Sequence, residues 1–411
     1  MRLSCASTPV HLSAVLLLAS GCALGPKSIR FERSKYNEAL AQTNREEVLL
    51  NLVRLRYRDS IGLLSIASVA TQRTWEQEFT ATGDVGRDLE HWLELFGRVD
   101  WSERPTVSYA PASPEAVKGL LNPLTTETLL VLANTGTLAQ NVMRLTVKRM
   151  NNVENAVSAS GPIPETPPEF EEFDLLMRHA RALVARGQLQ VGRVVQFKPV
   201  SDPIARDSIK TTDFRDAFEK DYVYQPTEDP TKVVLMNKEE VTVLRLSPQA
   251  VDLPEGQEVV RVLRLKPGGT HYEMKPVLER QLLPELAAGQ GHTEIVIGIR
   301  SLLEIMYFLS TGVEVPEDHV ASGVATITCD ETGRAFDWQR VLDGTFQVKV
   351  SKLPPHNAAV SVKYRGHWFY IDDRDYRSKT TFLTLQKVFA LQTRLGGGES
   401  LPVFTIPIGG R

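Results

Sequence analysis

VSVKYRGHWFYI, Val360 to Ile371, alternates apolar and polar residues on either side of Arg365-Gly366. Side chains of a strand point to opposite faces with a period of two, so each arm reads as a half-buried strand, and Arg-Gly is a pair that can turn the chain between them. The arms are Val360-Val362-Tyr364 and His367 to Ile371. Directly after them the period lengthens. Phe382, Leu385, Phe389 and Gln392 fall at helical spacing, which predicts a helix from about Lys379 to Gln392 with Ser378 able to cap its start. Hairpin followed by helix points to an α+β fold.

Working outward, strand-like runs recur at 191–200, 232–236, 241–246 and 258–265, which together predict an antiparallel sheet. Glu294 to Ile299 predicts a strand leading into a helix from Ser301 to Leu309, and Phe170 to Arg186 predicts an amphipathic helix stopped by Gly187. The segment Asp202 to Asp229 is polar and poorly periodic and reads as irregular. Nearer the N-terminus, Tyr36 to Arg58 predicts a helix with Thr43 or Asn44 capping a second segment, and 63–82 and 106–110 read as strands. Ser113-Pro114 opens a helix, and a longer helical pattern runs from Thr126 to Met150. The fold class is therefore α+β: an N-terminal, mostly helical region with a small sheet (32–157), a proline-rich linker (158–169), and a C-terminal region with an antiparallel sheet and packed helices (170–411).

Before these regions, Arg2 precedes an apolar run from Ala14 to Ala19 that is followed by Ser20, Gly21 and Cys22. The run is well short of the roughly 20 residues that span a bilayer. Leu18-Ala19-Ser20-Gly21-Cys22 resembles a bacterial lipoprotein processing site, in which small residues fit a peptidase groove and the cysteine thiol accepts lipid. The resemblance implies a signal peptide over 1–21, lipid on Cys22 and a short tether over 22–31. Ala23, rather than Asp, at the second mature position resembles the outer-membrane sorting class, so the expected location is the outer membrane, facing the periplasm. With Cys5 in the signal peptide and Cys22 lipidated, Cys329 stands alone and no intramolecular disulfide is expected. Cys329 ends the alternating run Val324 to Thr328 and reads as a small buried or edge-strand residue rather than a catalytic thiol.

The chain has 411 residues, 42% apolar and 24% charged, with 47 Lys and Arg against 50 Asp and Glu. Such composition is globular, and the near-balance of charge gives no reason to expect a nucleic-acid partner. Four strings, NREEVLLNLVRLRYRDS from Asn44, PTVSYAP from Pro105, RSLLEIMYFLSTGVEVP from Arg300 and YRGHWFYIDDRDYRSKTTF from Tyr364, resemble a family of uncharacterised bacterial outer-membrane lipoproteins. The resemblance implies a lipid anchor and brings no catalytic residue with it.

The richest chemistry lies in His367, Trp368, Tyr370, Asp372, Asp373, Asp375 and Arg377. Those acids could ligate a hard cation or act as paired carboxylates; equally, they could line a strand-to-helix turn neutralised by Arg374, Arg377 and Lys379, leaving a recognition surface. Arg54 and Arg58, four apart on a helix, could hold a phosphate or simply form a charged helix end. No GxSxG, HExxH, CxxC or GxxxxGK[ST] pattern occurs, the histidines are scattered, and neither a cofactor nor a metal is expected. Two functions follow from these readings. One is a non-catalytic binding or scaffolding role, with the membrane as partner through Cys22 and an envelope protein or polymer as ligand. The alternative is a membrane-tethered hydrolase using the carboxylates. The anchor has a direct chemical readout: a fatty-acid analogue fed to expressing cells is expected to label the chain, and Cys22→Ala is expected to abolish the label.

Overall fold

The computed structural model describes residues 24–62, 64–83, 93–111, 114–134, 139–276, 291–394 and 404–407; the signal peptide expected over 1–21 and Cys22 lie outside them. A single helix, α1 (Leu24–Arg56), opens the described chain. Both the tether expected over 22–31 and the helix break expected at Thr43 give way to it. Thr43 Oγ1 donates back to the Ala39 carbonyl at 2.9 Å, so its hydroxyl is engaged inside the helix and caps nothing. Leu49, Leu52 and Val53 anchor the C-terminal half in the core with no exposed surface.

Two long antiparallel strands follow, β1 (Leu64–Gly83) and β2 (Leu93–Pro111), in register from Leu64↔Pro111 to Gly83↔Leu93. Helices α2 (Pro114–Leu121), α3 (Thr126–Asn134) and α4 (Ala139–Thr146) come next. The helix expected to run to Met150 stops at Thr146, because Val147 to Met150 is taken as a strand, β3 (Val147–Met150), which turns back through β4 (Val153–Glu154). Pairing with a neighbouring strand overrides helical periodicity here.

The stretch expected as a linker is packed. Ala159 and Ile163 are buried, and the carbonyls of Ile163, Pro164 and Glu165 accept from Arg58, Thr328 and the Cys329 amide. One apolar core runs continuously through it, so proline here shapes a surface-hugging turn of the core and does not separate two bodies.

Beyond it, α5 (Glu171–Ala185) ends as expected at Gly187, whose φ of 68° suits a residue without a Cβ. Then come β5 (Leu189–Pro199), β6 (Ile204–Ala205), α6 (Thr211–Glu219), β7 (Tyr222–Pro226) and β8 (Lys232–Leu246). The polar excursion thus carries regular elements, with β6 and β7 paired to β8, and the two strands expected at 232–246 are one. Helices α7 (Pro248–Val251) and α8 (Pro254–Val262) replace the strand expected at 258–265: Pro254 opens α8, and Val259, Val260 and Val262 are buried. Its valines suit a strand locally, but packing against α5 decides.

The chain continues through β9 (His271–Pro276), β10 (Glu294–Ile299), α9 (Leu302–Ser310), α10 (Glu317–Ala321) and α11 (Gln339–Leu342). It ends in β11 (Lys349–Ser351), β12 (Ala358–Tyr364), β13 (His367–Asp372), α12 (Tyr376–Arg394) and β14 (Phe404–Pro407). Val324 to Thr328 forms no strand; Cys329 makes only an isolated bridge to Ala335 and is a free thiol. The fold is α+β. Its large sheet has the order β4-β3-β10-β9-β8-β5 and is mixed, since β9 and β10 run parallel, where the sequence suggested antiparallel pairing throughout. A second sheet, β11-β13-β12, carries the hairpin that opened the sequence reading, turned at Arg365-Gly366 with φ of 45° and 87°. The third is β1-β2-β14.

At the junction of α4, β3 and α9 lies Arg300, with 0% of its surface exposed. Nη1 donates to the carbonyls of Val147 (2.9 Å), Arg144 (3.2 Å) and Leu145 (3.3 Å), and Nη2 donates to Asn155. Nε donates to Ser160 Oγ at 3.1 Å, and the guanidinium lies 4.1 Å from the Phe308 ring centroid. Burial lowers its pKa to about 9, and it remains cationic at neutral pH. Arg300→Met would remove the guanidinium donors from these carbonyls, of which those of Arg144 and Val147 keep a bond from Asn155 Nδ2, at a cost of about 1 kcal/mol or more for each group left unpaired. The expected outcome in urea denaturation is a loss of about 3 kcal/mol, not restored by Arg300→Lys, whose point charge lacks the planar fork; an unchanged midpoint would contradict this role.

Candidate functional site

Helix α1 ends at Arg56, and Arg58 takes a left-handed φ of 59°, so the chain turns sharply at Tyr57. Tyr57 is buried there among Tyr364, Phe369 and His319, with ring centroids 5.7, 6.1 and 5.6 Å away. Asp59 closes the turn onto the β12–β13 hairpin: the Tyr364 hydroxyl donates to its Oδ2, and Arg365 Nη2 does so at 2.9 Å. Arg365 also lies over the Tyr57 ring, 5.3 Å from its centroid.

On the other side of Tyr57 are two histidines. The Tyr57 hydroxyl is 2.6 Å from His319 Nδ1, and the His319 and His367 rings meet edge to face at 4.8 Å. His367 Nε2 is 3.7 Å from Asp318 Oδ1. One donor atom from each of Asp318, His319 and His367 lies within 4.8 Å of the others. His367 is 8% exposed, and neither of its ring nitrogens has a hydrogen-bond partner in the described structure.

Strand alternation divides the residues expected to form a surface. His367, Phe369 and Ile371 face inward, while Trp368, Tyr370 and Asp372 are half-buried on the other face. Asp372 pairs with Lys349 at 2.9 Å and accepts the Arg374 amide at 3.0 Å, which together hold its carboxyl below the usual range. Asp373 pairs with Lys379 at 2.6 Å. Asp375, not Ser378, caps α12, accepting the Ser378 amide at 3.0 Å. Arg377 reaches the Asp343 carbonyl at 3.4 Å. These acids lie along a turn with lysines and amides as partners and do not converge on a common point. Arg54 and Arg58 do not share a helix face either: Arg54 reaches Asn51 at 3.4 Å, and Arg58 donates to the Ile163 carbonyl at 2.9 Å.

Sequence reasoning missed Tyr57, Asp318 and His319. The one available signal was the adjacency of Asp318 and His319, since the other members come from 262 residues upstream in the case of Tyr57 and from a separate strand in the case of His367. An apolar cavity of about 390 Å³ lies elsewhere, between α3, α5 and the large sheet, lined by Met143, Met150, Met177 and Met274 among aliphatic residues. It is within the size range of small-molecule pockets, and its polar lining residues include Gln140, Arg181 and Gln190.

A further feature lies in the β1–β2 hairpin. Cross-strand partners share a face, and the register sets Trp75, Gln77, Phe79, Ala81 and Gly83 opposite Trp101, Val99, Gly97, Leu95 and Leu93. The other face of the same stretch carries Glu76, Glu78, Thr80 and Thr82 opposite Asp100, Arg98, Phe96 and Glu94. Among the described residues, β14 joins β2 at Thr106 to Tyr109, outside this stretch. Among the described residues, no helix is long and apolar enough to cross a membrane. No family model matches the chain, and no curated protein or solved structure is significantly similar to it.

Asp59 titrates in a way that tests the node. The hydrogen bond from Tyr364, and then Arg365, lowers its pKa. A carboxyl depressed on folding contributes stability that is present above its unfolded pKa, near 3.9, and is lost as pH falls through the folded value. Asp59→Asn is therefore expected to be less stable than the parent at pH 7, with the gap closing towards pH 2 in urea melts; a gap independent of pH would show that the carboxylate charge contributes nothing.

Proposed function

We propose that this chain is a lipid-anchored protein of the bacterial outer membrane, held on the periplasmic side through Cys22 and without chemistry of its own. Its β1–β2 hairpin enters the same membrane and joins hairpins of further copies in a β-barrel. The envelope partners are then the bilayer and the chain itself. The anchor rests on the Leu18 to Cys22 motif and its resemblance to lipoprotein processing sites. The observation that carries the rest is the two-faced hairpin.

One face of Trp75 to Gly83 and Leu93 to Trp101 is apolar except for Gln77, and each of these strand segments is nine residues long. That matches the 9–11 residues with which a tilted strand crosses a bilayer. A Trp75–Trp101 pair bounds the stretch, as aromatic girdles bound the apolar band of barrels, and the next pair on that face is Arg73–Glu103. Glu76, Glu78, Arg98 and Asp100 on the opposite face exclude a packed apolar core there but suit a water-filled lumen. A hairpin alone has two open edges, and open edges are not tolerated in hydrocarbon. Pairing β1 of one copy with β2 of the next closes both. The hydrolase reading draws no support from acids that are paired with Lys349 and Lys379.

Spin labels at Val99→Cys and Asp100→Cys, each in full-length lipidated protein carrying Cys329→Ser and reconstituted into phosphatidylethanolamine–phosphatidylglycerol vesicles, test the arrangement. Residue 99 is expected to be quenched by lipid-soluble oxygen and residue 100 by a water-soluble nickel chelate, with a discrete multimer in detergent and ion conductance across the vesicles. A monomer with both labels equally open to water would sink the barrel while leaving the anchor, read by the fatty-acid label on Cys22, untouched.

A further inference from the structure

Independently of the membrane, the geometry points to a site for a borderline divalent transition ion of the zinc type, formed by Asp318, His319 and His367 and oriented by Tyr57. Two imidazoles and a carboxylate are the donor set such ions take in sites that keep an open position for water or substrate. The three donor atoms already lie within 4.8 Å of one another. In a tetrahedral shell with bonds of about 2.0–2.1 Å, ligands stand about 3.4 Å apart. Asp318 Oδ1 already stands 3.7 Å from His367 Nε2, and the Asp318 side chain is on the surface, 59% exposed.

Two observations separate this cluster from an ordinary core histidine pair. A buried imidazole normally has partners for its nitrogens, because leaving them unmet costs free energy. His367 has neither nitrogen satisfied among the described residues, although it is 8% exposed and faces His319 and Asp318. A bound ion would supply the missing partner. The second observation is the Tyr57 hydroxyl at His319 Nδ1. Metal-bound histidines typically donate their other ring N–H to a fixed acceptor, which sets the tautomer and the ring orientation. With Nδ1–H donating to the Tyr57 oxygen, Nε2 of His319 is left with its lone pair for the ion. Tyr57 is itself fixed by the Tyr364, Phe369 and Arg365 contacts around it. Tyr57 is thus a positioning residue and not a ligand.

The test uses the full chain stripped with chelator and titrated with Zn²⁺ alone by calorimetry, and with Co²⁺ by visible absorption. One equivalent of Zn²⁺ is expected, and the Co²⁺ spectrum is expected to show the intense bands of four-coordination. Asp318→Asn, at a surface position where folding is not at stake, is expected to weaken binding and alter the Co²⁺ spectrum. His319→Ala with His367→Ala is expected to abolish binding. Tyr57→Phe is expected to keep the stoichiometry while weakening affinity about 10–100-fold, the range for loss of an orienting partner. No stoichiometric Zn²⁺ in the parent, or binding unchanged in Asp318→Asn and in the double histidine variant, overturns the assignment.

Discussion

Arg300 carries its charge into the core without a carboxylate bonded to it; its protons go to main-chain carbonyls at the end of α4, at β3 and beside the short helical turn Val157 to Ser160. Carbonyls at a helix C-terminus are left without intrahelical donors and carry the negative end of the helix dipole. A cation there satisfies several at once. It also fixes where α4 must stop, which frees Val147 to Met150 to pair with β10. Immediately after Arg300, Ser301 and Glu304 cap α9 reciprocally, and Glu304 takes Lys148 of β3 at 2.8 Å. A single residue thus ties the end of one helix, the start of another and the centre of the large sheet.

The same part of the core holds the chain together across what looks like a linker. The backbone carbonyls of 163–165 are met by donors from Arg58, Thr328 and Cys329, and Ile163 is buried. Buried backbone groups need partners, so a proline-rich stretch with the carbonyls of Ile163, Pro164 and Glu165 engaged has been drawn into the fold, not left to connect two folds. Arg56, reaching the Thr326 carbonyl at 2.8 Å, makes a further link between the first helix and the C-terminal half. Tyr57 is held in place between them.

The hairpin β1–β2 obeys a different constraint. Its extensive main-chain neighbours, among the described residues, are its own two strands and β14. A two-stranded hairpin is marginal in water without a further surface to pack on. Its two faces differ in chemistry over Trp75 to Gly83 and Leu93 to Trp101, so they call for two different surroundings. The metal cluster and the hairpin are separate features: one is set by side chains converging in the body, the other by the period of a strand.

Much of the fold was legible in the sequence. The β12–β13 hairpin with its Arg365-Gly366 turn, α5 with its Gly187 stop and α9 after the strand β10 all rest on local rules, and each formed where those rules put it. Local rules failed where tertiary pairing competed. Val259, Val260 and Val262 favour a strand on their own but lie in a helix packed on α5, and residues 147–150 favour a helix but join β10. The alternation of His367 to Asp372 was readable, but not which face is buried: His367 reads as part of a surface and lies on the inward face. What lay opposite His367 was not readable either. Tyr57, the adjacent pair Asp318-His319 and His367 come from three separate segments, and no local spacing encodes their meeting. Sequence by itself determined the α+β class, the Cys22 motif and the alternating pattern of the strands, because each depends on neighbours within a few residues. Only the tertiary structure decided that a tyrosine, two histidines and an aspartate share one point, because burying the apolar faces of α1, α9 and β13 in one core is what brings them together.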